Sequence, residues 1–292
     1  MTALETIHGA DALHPRLGET VLGAPHRIGS NFSATHFSEE VFDGRMDPLL
    51  MVDHFVMTGP TFEPHLHAGI SAVTVMFEDA TGHFLNRDTL GRDVALEPGD
   101  LYWLAAASGA AHEERPAEGA RVHALQVFVN LPARLKAQPA RALHVRAADI
   151  PVLEGRGHRV RVVLGQSGDV VGAGGTPEEM TLLDGFLQPG GAFAHALPEG
   201  RQAWIYAVSG RVSVRCREEE RLLPEGGALA VGAGSAAEII LEAAEAAHVV
   251  LMAGRPIREP FVKRGPLVMS TVADVERALA GYARGAFGRI PA

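Results

Sequence analysis

Between Met46 and Leu131 the chain is a series of short apolar or alternating runs: Leu49 to Val52, Ala72 to Phe77, Asp93 to Leu96, Leu101 to Ala105 and Val122 to Asn130. Runs of this length, bounded by polar residues, predict β-strands rather than helices. The breaks between them are chemically explicit. Asn86-Arg87-Asp88-Thr89-Leu90-Gly91 and Glu97-Pro98-Gly99-Asp100 place Gly, Pro, Asp and Asn where a hairpin reversal needs positive φ or a side-chain-capped bend. Consecutive antiparallel strands follow.

The stretch after Asn130-Leu131-Pro132, through Pro139 to about Asp149, has no clean strand period and reads as a connection. A second series then repeats the rhythm of the first: Val160 to Leu164, Met180 to Leu187, Gln202 to Val208, Gly210 to Cys216, Gly227 to Val231, Ala236 to Leu241 and His248 to Met252. The expected organisation is therefore one barrel over 1–134, a connection over 135–149 and a second barrel over 150–292. One segment reads as a helix. Thr271 is placed to cap it with Asp274 reaching back, Val275, Leu279 and Tyr282 share a face, and Gly285 stops it.

Composition supports a turn-rich β architecture. The 292 residues suffice for two cores, and 33 Gly with 18 Pro punctuate the chain more often than a helical bundle tolerates. The net charge is -9, and no cluster of Lys or Arg forms a footprint for a phosphate backbone, which argues against direct nucleic-acid binding. Met1 to Arg16 lacks the continuous apolar core of a signal peptide, and no stretch is long and apolar enough to span a bilayer. The single cysteine, Cys216, has no partner for an internal disulfide. A cytoplasmic protein without membrane contact is the expectation.

Of the 14 histidines, spacing separates a few from the rest. In Pro64-His65-Leu66-His67 two imidazoles stand at i and i+2, which on a strand puts them on one face. His112-Glu113-Glu114 repeats the spacing 45 residues beyond His67. Either pair alone reads as a solvated polar face. Together, in a β-only region whose closure brings strands face to face, they offer three imidazoles and one carboxylate to a single divalent transition metal. That donor set favours iron and also accepts manganese, cobalt, nickel, copper or zinc. Glu113 should point the opposite way, to solvent or a salt bridge. His54 and His123 read as satisfied structural histidines, with support of the ligands as the alternative, His83 as exposed, and Met76 and Trp103 as core. In the second half Gly190-Gly191-Ala192-Phe193-Ala194-His195 offers one histidine only, so that barrel is expected to be metal-free.

The residues from Gly59 to His67 match the first cupin signature, in which Gly is followed after five residues by His-x-His. The chain more broadly resembles the pirin family. The likeness runs through Met46 to Phe55, Asn86 to Gly91, Glu97 to Trp103, His112 to Glu114 and Leu125 to Pro132, and continues in Gly254 to Pro260 and Gly265 to Thr271. It implies an all-β fold of two cupin-type jelly-roll barrels in tandem with a short C-terminal helix, and iron in the first barrel held by His65, His67, His112 and Glu114.

The resemblance also implies function. Some pirins resemble quercetin dioxygenases, which cleave a flavonol that chelates the metal. In that reading the small aromatic substrate gives its proton to Glu114, at once ligand and catalytic base. Pirins are also described as redox-sensing coregulators that bind a protein partner, and this non-enzymatic role is the alternative. The chain departs from the family at Ala68-Gly69-Ile70-Ser71, where many pirins have Arg-Gly-Phe-Glu, at Asn86, where many have His, and at Ala107 and Pro116. These substitutions leave the ligands in place and alter the pocket around them.

Overall fold

The structure, a computed structural model, describes residues 14–291. Each half builds a seven-stranded antiparallel sheet packed on a four-stranded one. In the first barrel the large sheet runs in the order Arg141–Val145, Leu101–Ala105, Ile70–Met76, Val122–Asn130, Leu49–Met57, Phe32–Ser38, Ala24–Ile28. The small sheet orders His65–His67, Ala110–Pro116, Phe84–Asp88 and Asp93–Leu96. The second barrel repeats this arrangement, its small sheet running Gly191–Leu197, Ala237–Ala243, Val212–Cys216, Glu219–Leu223. The expected all-β tandem is what is found.

The large sheets are buried on both faces. Strand alternation sends Met76, Tyr102, Leu104 and Ala124 into the first barrel, while Val73, Val75, Trp103, Leu125 and Val127 point outward. The outward set packs against Trp204, Tyr206, Val250 and Met252 of the second large sheet in one continuous core. This is why Ile70–Met76 reads as an unbroken apolar run: each face meets a different hydrophobic layer, so period-two alternation disappears. Met76 and Trp103 are core, as expected.

Both chain ends cross to the opposite barrel. Val21–Leu22 adds to the edge of the second large sheet, pairing with Gly227 and Ala228. The stretch read as a connection contains the strand Arg141–Val145, which pairs with Leu101–Ala105 in the first sheet. The C-terminal helix, Val272–Ala283, is capped by the Thr271 hydroxyl accepting from the Asp274 amide, as its sequence predicts. It packs Val275 and Ala278 on Leu66, Ala68, Leu267 and Met269, hence on the first barrel. Its buried stripe is Val275, Ala278 and Gly281, whereas Tyr282 is 39% exposed. The small Ala278 and Gly281 in that stripe let the helix approach closely.

Two glycines admit this C-terminal strap. At Gly69, with φ +76, a Cβ would lie 1.8 Å from the Val268 carbonyl oxygen, and at Gly109 it would strike the Phe287 ring at 2.4 Å. The strap thereby covers the outside of the strand that carries His65 and His67. A second helix, the four-residue Ala133–Lys136, was not foreshadowed in the sequence, and it is too short to show a hydrophobic period.

Candidate metal centre

Leu66 of the His65–His67 strand points out to the C-terminal strap, which leaves both histidines facing the barrel interior. Antiparallel pairing with Ala110–Pro116 sets His65 opposite His112 and His67 opposite Ala110. The three imidazoles consequently form a nearly equilateral set, with ring centroids 4.8 Å apart in every pair. Their ligand atoms all lie within 4.8 Å of one another, and the Nε2 atoms of His67 and His112 are 3.0 Å apart. Among the described residues this is the one group of three or more donors arranged to hold an ion.

The surroundings ready these rings for a metal, and favour the neutral form of His67 and His112. His65 donates Nδ1–H to the Glu63 carbonyl at 2.9 Å, so its Nε2 lone pair is left for a ligand. Burial pushes His112 down to about 3 and His67 well below the usual histidine range, with neighbouring histidines adding to both effects. Three imidazoles with their ligand atoms within 4.8 Å of one another fit a divalent transition metal.

Glu114 stands two residues beyond His112 on the same face. Its Oε1 accepts from Thr74 Oγ1 at 2.6 Å and from Asn86 Nδ2 at 2.8 Å. Its Oε2 lies 3.8 Å from His112 Nε2. Burial raises its pKa, while the Thr74 hydrogen bond, the His65 charge and the Asn86 hydrogen bond act the other way. The carboxylate thus borders the three-histidine set without joining its tightest grouping.

Asn86, a departure at sequence level, has a defined task here, since its amide secures Glu114. Glu113 turns outward to Arg87 at 2.5 Å, as strand alternation requires. His54 and His123 do not support the ligands. They lie on the outward face of their strands, with Nε2 atoms 2.6 Å apart and His54 Nδ1 2.6 Å from the Tyr206 hydroxyl of the second barrel. His83 is exposed. His195 is buried beside the Ser167 hydroxyl and belongs to no group of three or more metal donors among the described residues.

A cavity of about 140 Å³ opens on the three histidines and is lined by Phe32, Phe55, Phe62, Phe84 and Phe128, with Asp53, Glu114 and Gln126 as its polar groups. Sequence reasoning missed Thr74, Gln126 and Asp53. Asp53 and Thr74 are each the one polar residue on the inward face of their strand, and that isolation was the available signal, whereas Gln126 shares its face with Asn130 at the strand end.

Comparison with known proteins finds relatives over most of the chain. A family model described as Pirin matches residues 24–129, and one described as the Pirin C-terminal cupin domain matches 182–288. A Pseudomonas aeruginosa protein with the provisional name quercetin 2,3-dioxygenase is 35% identical over 276 residues, covering 90% of this chain and 94% of the relative. A pirin-like protein of Caulobacter vibrioides is 31% identical, covering 91% and 97%. A solved quercetin 2,3-dioxygenase from Acinetobacter baumannii superposes with a TM-score of 0.82 at 28% identity, over 95% of this chain and 100% of that one. A bacterial pirin from Escherichia coli, solved in complex with nickel(II), shares the fold at a TM-score of 0.62 and 19% identity, over 82% of this chain and 100% of that one.

Proposed function

The chain belongs to the pirin family, and from that premise we propose that it is a single-metal dioxygenase acting on a flavonol-type chelating phenol. The observation that carries this reading is the meeting of three clustered imidazoles with a small cavity walled by phenylalanines. His65, His67 and His112 would hold the ion, and Glu114 is proposed as the fourth ligand through Oε2. Iron is the proposed occupant, with manganese, cobalt, nickel, copper and zinc as the alternatives that metal analysis would distinguish. When bound, such a metal supplies Lewis acidity and, for iron, one-electron redox capacity.

The protein's own contribution is to seat and desolvate the substrate. Cavities for drug-sized ligands measure roughly 300–1,000 Å³, so the space of about 140 Å³ takes one chelating ring and leaves the remainder to project past Phe62, which is 39% exposed. Phe62 meets Phe32 edge-on at 5.1 Å and 82°, forming the apolar lip that would grip the projecting part. Thr74 and Asn86 keep the Glu114 carboxylate fixed while substrate enters.

An aerobic assay of iron-loaded protein with quercetin, following loss of flavonol absorbance, tests the proposal. Turnover is expected. Full metal occupancy with no turnover overturns it and moves the assignment to the redox-sensing coregulator, in which a protein partner would meet the rim around Phe62.

A further inference from the structure

The inner face of the first barrel's large sheet carries a row of polar residues in strict register. His36 pairs with Asp53, Asp53 with Gln126, Gln126 with Thr74, and Thr74 with Tyr102, across five neighbouring strands. The rows on either side are apolar: Met51, Phe128 and Ala72 on one, Phe55, Ala124 and Met76 on the other. A polar row inside a barrel costs stability unless its members are paired or used. Tyr102 is paired, donating to Asp88 at 2.5 Å, and Thr74 holds Glu114. Asp53 is half paired. Its Oδ1 accepts from His36 Nδ1 at 2.6 Å, while no hydrogen bond reaches Oδ2 among the described residues, and the side chain lines the metal cavity.

The cavity has two carboxylates, Asp53 and Glu114. Glu114 is poorly placed to take a proton, because Oε1 already accepts two hydrogen bonds and Oε2 is turned to the histidine cluster. We propose that Asp53, oriented by His36, is the catalytic base that accepts the proton of the chelating phenol. This rests on the substrate class proposed above. In the step the phenol O–H bond breaks, its electron pair stays on oxygen, and the proton bonds to Asp53 Oδ2. His36 is a positioning residue whose Nδ1–H directs the free oxygen at the cavity. Burial raises the Asp53 pKa, opposed by the His36 hydrogen bond and charge and by the charge of His26, and the raised value brings the base closer to working pH.

Zinc-loaded protein separates proton transfer from oxidation, since zinc has no redox chemistry. Quercetin would be mixed with it by stopped flow between pH 5 and 9 and formation of the bound anion followed by absorbance, with bound metal measured in parallel. Beyond His36 and His26 on the adjoining strands, the charged or titratable groups facing Asp53 are His65, His67, His112 and Glu114 across the cavity. Asp53→Asn should keep the metal and slow formation of the bound anion on the order of a hundredfold. His36→Gln should slow it by less. If Asp53→Asn loses metal or fails to fold, His36→Gln alone decides, because it leaves both carboxylates in place. Rates equal to the parent's across the pH range, with metal retained, would return the base role to Glu114. Failure of the parent protein to bind quercetin at all would instead defeat the substrate class, and this inference with it.

Discussion

The two barrels share a strand plan and differ in what lines the inner face of the large sheet. In the first barrel the polar row and the three clustered histidines point inward, and the apolar outward face is interrupted by His54 and His123. The second carries apolar side chains at the corresponding inner positions. Its inner face is filled by Val160, Leu183, Ile205 and Leu251, while the ion pair of Arg161 with Asp184, at 2.9 Å, and His248 beside Asp184, at 2.5 Å, lie on the other side. The strands that correspond to His65–His67 and Ala110–Pro116 place Phe193, His195, Ile239 and Leu241 inward. The comparison teaches that the architecture alone makes no site. What separates a metal centre from a packed core here is a handful of inward positions.

The largest effect should come from the ligands. His65→Ala or His112→Ala is expected to weaken metal binding by more than the 10–100-fold typical of groups that only support a ligand, whereas His195→Ala should leave metal content unchanged. Metal analysis after dialysis checks this, and equal loss in His195→Ala would break the contrast between the barrels. Next is the shared core. Trp204→Ala removes a fully buried ring between the two sheets and should cost about 3–5 kcal/mol. Because Trp103 then remains as the single tryptophan reporter of the first barrel, its fluorescence and the far-UV circular dichroism should shift together in urea. Separate transitions would show barrels that fold independently.

A smaller effect concerns pH. Burial, aided by the Arg201 charge, holds His195 down to about 4. An unfolded chain with a histidine near 6.5 takes up the proton first as pH falls, so the unfolded state gains. The contribution of neutral His195 is complete above about pH 6.5 and is lost as pH drops toward 4, on the order of 3 kcal/mol over the window. His195→Gln should flatten the dependence of urea midpoint on pH between 7 and 4.5. An unchanged slope would assign the acid sensitivity elsewhere. The smallest effect should be that of Asn86→Ala, which removes one of the two hydrogen bonds on Glu114 Oε1 and should reduce metal affinity about tenfold. Calorimetric titration of the metal would show it, and unaltered affinity would remove Glu114 from the ligand set.

The sequence alone determined the local half of this protein. Strand spacing and turn residues set the antiparallel plan, the i and i+2 pairs put His65 with His67 and His112 with Glu114 on common faces, and Thr271 with Gly285 bounded the C-terminal helix, because each depends only on neighbours along the chain. Tertiary structure decided the rest. Register alone set His65 against His112 and lined up His36, Asp53, Gln126 and Thr74, residues up to 90 positions apart in sequence. It also sent each chain end to the opposite barrel and turned His54 and His123 away from the metal. A strand's alternation says which residues share a face, but which layer that face meets is fixed by packing against segments far away in the chain.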